Sequence, residues 1–159
     1  CCAHIMELAD FLTKEQVVTD LKAFDRWEAI EELIDLLVDK GRIKSEHRDA
    51  IVSVVKKRET TMSTGIGFGI GIPHASTDLI GDVTGAFGRS KAGVNFDALD
   101  NHPVNLVMLF LVPQGQFQKH LHTLAKIAKV LHKNEFRKSL EDAGDAAEMY
   151  QIIRTSQEG

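Results

Sequence analysis

The sequence predicts an α/β fold: a mixed central sheet of about five strands with helices on both faces, forming a single compact domain. Three observations carry this. Segments with apolar residues at helical spacing alternate along most of the chain with short, continuous apolar runs of strand length. No linker rich in proline, glycine and serine, no low-complexity stretch and no internal repeat divides the chain. Its 159 residues, 43% of them hydrophobic, suit one core. The domain is drawn over residues 5–159. Cys1 to His4 lack an initiator Met and are as readily processing or added sequence as native.

Taken in order, Thr13 to Gln16 fits a capping box before the β-favouring Val17, Val18 and Thr19, which gives a helical turn leading into a short strand. Asp25 can cap a helix whose apolar face is Trp27, Ile30, Leu33, Ile34 and Leu37, and Gly41 ends it. Ser45 opens a second helix with Ile51, Val54 and Val55 on one face. It ends near Arg58, where Lys56, Lys57 and Arg58 complement the helix dipole. Gly65 to His74 reads as loop, short strand, loop. Val83 to Gly88 and Leu106 to Val112 are core strands, the second buried on both faces. Leu121, Leu124, Ile127, Ala128 and Leu131 mark a third long helix, and Phe136, Leu140, Met149, Ile152 and Ile153 mark two shorter ones.

Composition removes several function classes. The net charge of -4 and the absence of a Lys/Arg cluster of the kind that tracks a phosphate backbone argue against nucleic acid as a partner. No apolar run approaches the roughly 20 residues that span a bilayer, and no secretory signal opens the chain, so direct membrane insertion is not expected and a cytoplasmic location is. Cys1 and Cys2 make no disulfide framework.

Glycine stands at every second position from Gly65 to Gly71, which invites a nucleotide-loop reading. The spacing does not support it: neither G-x-G-x-x-G nor a terminal Gly-Lys-Ser/Thr is present. The segment instead delivers Pro73-His74. Proline fixes its own φ and restricts its neighbour, so the following imidazole is aimed by a stiff backbone, while small neighbours leave it open. With a reference pKa of about 6.5, that imidazole carries a free lone pair and can attack phosphorus without a separate base.

Ser63-Thr64-Gly65-Ile66-Gly67-Phe68-Gly69-Ile70-Gly71-Ile72-Pro73-His74-Ala75 resembles the active-site segment of the type-2 enzyme IIA (EIIA) domains of the bacterial phosphoenolpyruvate-dependent phosphotransferase system, the fructose, mannitol and nitrogen-regulatory class. Lys57-Arg58-Glu59, Val94 to Asp100, Pro103-Val104, Val112-Pro113 and Lys119 to Leu124 are similar to further parts of that family, and the likeness spans residues 8 to 155. It implies a phosphotransferase component in which His74 is the phosphorylated residue. It also implies that Arg58, 16 positions earlier, neutralises the phosphoryl group and that His120 orients or hydrogen-bonds it. The implied donor is an HPr-like phosphocarrier, and the acceptor is a IIB domain or a regulatory target.

No cofactor is expected, and no metal. His120 and His122 form an H-x-H pair, but two residues apart on a helix point about 200° from each other and cannot share one ion. His102, His122 and His132 are read as surface or turn residues. Phe68 stands where the family commonly has a polar residue and is read as a partner-docking position. Gly71 replaces a usual alanine and is expected to lose packing and loosen its strand. The His120-Leu-His-Thr-Leu124 stretch, and a chain carrying no IIB or IIC segment, lean toward a nitrogen-type regulatory output. The alternative is a sugar-transport IIA that passes the phosphoryl group to a separate fructose/mannitol-type IIB cysteine.

Overall fold

The computed structural model describes residues 12–61, 65–67, 69–96 and 100–156. Cys1 to His4 and Phe68 lie outside them. The Thr13–Gln16 box forms as expected: the Thr13 N–H and hydroxyl both donate to Gln16 Oε1, at 3.1 and 2.8 Å. A single 3-10 turn, Lys14–Gln16, then leads into β1 (Val17–Val18). Helix α1 (Arg26–Asp39) is capped by Asp25, whose carboxylate accepts the Glu28 N–H at 2.9 Å, and it stops at Gly41, where φ is +76°.

Helix α2 (Arg48–Thr61) begins one 3-10 turn later than Ser45 and runs about a turn past Arg58. The Thr60 and Thr61 hydroxyls donate back to the Lys56 and Lys57 carbonyls in that added turn. The glycine-rich segment is not loop, strand, loop. It supplies an antiparallel pair, β2 (Gly65–Gly67) and β3 (Ile70–Gly71), after which β4 (His74–Thr77) opens on the histidine itself. The long strands β5 (Thr84–Val94) and β6 (Val104–Pro113) are followed by helices α3 (Phe117–Leu131), α4 (Asn134–Asp142) and α5 (Ala146–Ser156).

The sheet is mixed, as expected. Its order is β1-β5-β6-β3-β2, with β4 also paired to β6; β1–β5, β3–β6 and β4–β6 are parallel, while β5–β6 and β2–β3 are antiparallel. Strand β6 is buried on both sides because its side chains alternate between two cores. Val107, Leu109 and Leu111 pack with Leu33, Ile34 and Leu37 of α1 and Ile51 and Val55 of α2. Leu106, Met108, Phe110 and Val112 pack with Leu131, Phe136, Leu140, Met149 and Ile153 of α3–α5. One helical layer therefore covers each face.

Two positions read differently from the sequence. Gly71 does not leave a gap, because the ring of Phe96 fills it: a Cβ there would lie 2.9 Å from Phe96 Cε2. Strand β5 continues past Gly88 through the polar Arg89 and Ser90. Arg89 is only 3% exposed, and its guanidinium donates to the carbonyls of Thr19, Leu140 and Ala143 at 2.9, 2.9 and 2.6 Å. It ties β5 to the end of α4.

Candidate active site

His74 is placed by the parallel ladder of β4 on β6, where His74 pairs with Phe110 and Thr77 with Pro113. Pro73 lacks an N–H but uses its carbonyl to accept from the Phe110 N–H at 3.0 Å, so the residue before His74 is fixed into the ladder. Paired residues in a ladder share a face. Phe110 belongs to the core under α3–α5, so His74 lies on the α3 side of the sheet.

The imidazole is half-buried, and its Nδ1 lies 2.8 Å from the Ile72 carbonyl oxygen. A carbonyl can only accept, so Nδ1 carries the hydrogen. In the neutral ring the lone pair is then on Nε2. Burial is the main cause holding the proton affinity of His74 below that of an ordinary histidine. The Ile72 hydrogen bond raises it, the positive charge of Arg58 lowers it further, and the negative charge of Glu59 raises it. Arg58, on the exposed last turn of α2, is thus electrostatically coupled to His74.

Glu59 is a member of this site that the sequence reading did not single out. It is 1% exposed, and its Oε2 accepts from Arg26 Nη1 at 3.2 Å, with the Arg26 guanidinium 4.3 Å above the Trp27 ring. A buried carboxylate needs such a partner. Its signal was present in the sequence: Ile51, Val55 and Glu59 recur every four residues, which puts the glutamate on the inward stripe of α2.

His120 occupies the first turn of α3 and is 8% exposed, whereas His122 is exposed, the opposite phases that a helix gives residues two apart. Burial first, and the neighbouring Lys119 charge second, hold the proton affinity of His120 below the ordinary value. No hydrogen bond from its ring is found among the described residues. His74 and His120 thus belong to the same layer of the molecule.

The model of the family described as "Phosphoenolpyruvate-dependent sugar phosphotransferase system, EIIA 2" matches residues 10–156. The chain belongs to this EIIA family. It is 44% identical over 115 residues to the PTS system fructose-specific EIIA component of Haloferax volcanii, covering 72% of this chain and 73% of that protein. It is 33% identical over 156 residues to the nitrogen regulatory protein of Escherichia coli, covering 97% and 93%. Among solved structures, the nitrogen regulatory protein IIA-Ntr of Neisseria meningitidis superposes with a TM-score of 0.83 at 30% identity, over 92% of this chain and 98% of that one. A IIA-mannitol solved in complex with phosphorylated IIB-mannitol from Escherichia coli shares the fold, with a TM-score of 0.74 at 20% identity over 91% and 97%. Among the described residues of this EIIA chain, no helix is long and apolar enough to cross a membrane.

Proposed function

We propose that this EIIA domain is a phosphocarrier that accepts a phosphoryl group on Nε2 of His74 from an HPr-like phosphocarrier protein. The observation that carries the reading is the Nδ1–Ile72 hydrogen bond, which leaves Nε2 as the nucleophilic nitrogen of a ring kept neutral by its surroundings. The Nε2 lone pair forms the new N–P bond while the N–P bond to the donor histidine breaks, its electron pair returning to the donor ring. The Ile72 carbonyl holds the Nδ1 proton throughout and stabilises the positive charge that develops on the ring.

Arg58 supplies the electrostatic stabilisation. Its guanidinium offers a donor fork to the phosphoryl oxygens, while Arg26 neutralises Glu59 and so limits repulsion of the arriving dianion. His120 serves as a second donor to those oxygens from the first turn of α3. The reaction needs no cofactor of its own. The phosphoryl group then leaves for an acceptor, or stays and alters which protein the carrier binds.

A regulatory output is supported by similarity to nitrogen regulatory proteins over nearly the full length of both chains. A transport output, with delivery to a fructose-type IIB cysteine, is favoured by the 44% identity to a fructose-specific EIIA component. The neighbour solved with phosphorylated IIB supports a IIB domain as a partner class. The testing experiment is phosphoryl labelling from a phosphorylated HPr-like carrier: His74→Ala must abolish it while the fold is retained. Labelling that persists in that variant overturns the assignment. Binding of the phosphorylated and free forms to a IIB domain, compared with capture of a regulatory target by one form only, separates the two outputs.

A further inference from the structure

One cavity of the molecule is lined without His74. It encloses about 730 Å³ where the loop after α1, the loop between β4 and β5 and the start of α3 converge, and its lining includes Arg42, Lys44, Asp82, Gln116, Lys119 and His120. Three cations thus face one acid. The side chains of Arg42, Lys44 and Lys119 make no hydrogen bond or ion pair among the described residues, whereas Arg26, Arg48 and Lys56 are all held by carboxylates.

Two further observations point the same way. Gln116 precedes α3 without making a side-chain cap, so the first-turn N–H groups and the positive end of the helix dipole meet the cavity uncovered. His120, more than nine-tenths buried, lines the cavity, and because no buried side-chain nitrogen or oxygen among the described residues is left without a partner, its unbonded ring nitrogens are the atoms that reach the cavity. Ring nitrogens that open onto a cavity can hydrogen-bond water or a ligand that displaces it. The volume lies within the range of about 300–1,000 Å³ typical of small-molecule sites and far exceeds a lone phosphate ion.

We propose that this cavity binds a small phosphorylated metabolite, with its phosphate held by Arg42, Lys44, Lys119 and the start of α3, and with His120 donating to it. Asp82 faces the non-phosphate portion, where it can accept from hydroxyl or amine groups and disfavours a second phosphate. The site is separate from the acceptor nitrogen of His74 and shares only His120 with the phosphoryl-accepting group. Any influence of the ligand on phosphoryl acceptance therefore runs through His120 and rests on the function proposed above, whereas binding itself does not.

The test uses the full chain, labelled with 15N and titrated with glycerol 3-phosphate and separately with inorganic phosphate, at an ionic strength held constant with chloride. The expected result is saturable movement of the Lys119 and His120 amide signals and of the His120 ring signals, with glycerol 3-phosphate as the stronger probe. Arg42→Ala combined with Lys44→Ala is expected to weaken binding about tenfold or more, and Asp82→Asn to strengthen binding of inorganic phosphate alone. His74→Ala is expected to leave binding intact, which keeps a failure here distinct from a failure of the phosphocarrier reading. The proposal is overturned by any of three results: no saturation beyond the chloride control, equal affinity in the Arg42/Lys44 variant, or signal changes confined to Arg58 and His74.

Discussion

His74 and His120 lie on the same side of the sheet, and burial lowers the proton affinity of both, yet the fold treats their rings differently. On β4, the Ile72 carbonyl holds Nδ1 of His74 and fixes one tautomer. On α3, no hydrogen bond among the described residues anchors the ring of His120, which borders a cavity lined by Arg42, Lys44 and Lys119. Burial alone makes a histidine neutral at neutral pH; it does not say which nitrogen is the nucleophile. A single backbone carbonyl supplies that difference. It suits His74 to attack through Nε2, and it leaves His120 to present either nitrogen to whatever anion arrives.

Removing each ring in turn tests the contrast most severely. His74→Ala is expected to eliminate phosphoryl acceptance from a phosphorylated carrier, with an unchanged circular dichroism spectrum. Arg58→Ala is expected to slow acceptance by about 10- to 1,000-fold, the scale of one lost electrostatic stabiliser, in single-turnover transfer. His120→Ala is expected to slow the same step by about tenfold without stopping it, as one charge-assisted hydrogen bond is lost. An equal loss in the two histidine variants would break the distinction between nucleophile and donor.

The pH dependence sharpens it. Protonation removes the Nε2 lone pair, so acceptance is expected to be flat above the ordinary histidine pKa of about 6.5 and to decline only at lower pH, because the His74 pKa is depressed. Arg58 contributes to that depression, so Arg58→Ala should move the acid limb toward higher pH. Glu59 acts in the opposite sense, so Glu59→Gln should move it lower. Ring 15N shifts at neutral pH should show His74 as a single Nδ1–H tautomer and His120 as a mixture. The smallest effect concerns packing behind the site: Gly71→Ala is expected to destabilise by about 1–3 kcal/mol in denaturant unfolding. Much of that should return when Phe96→Leu relieves the contact.

Much of the site was legible because its parts are local or periodic. Pro73-His74 marks an aimed imidazole, and the 16-residue spacing places Arg58 at the end of the preceding helix. Strand β4 was missed because Ala75, Ser76 and Thr77 show no apolar alternation; its parallel pairing with β6 holds it instead. Glu59 was passed over because a charged residue on a helix normally faces water, and its pairing with Arg26, 33 residues earlier, is not visible along the chain. Gly71 was read as a loss of packing since nothing local shows that Phe96 occupies the space.

The sequence by itself determined the order of helices and strands, the double-sided burial of β6, the capped start of α1 and the likeness that singled out His74, Arg58 and His120. Periodicity, capping and turn chemistry act over a few residues, so they can be read along the chain. The tertiary structure alone decided which nitrogen of His74 carries the hydrogen, that Arg26 offsets Glu59, that Phe96 requires Gly71 and that three cations line one cavity. Each of those depends on side chains brought together from distant segments, and the energies involved, desolvation and Coulomb interaction, are set by distance in space.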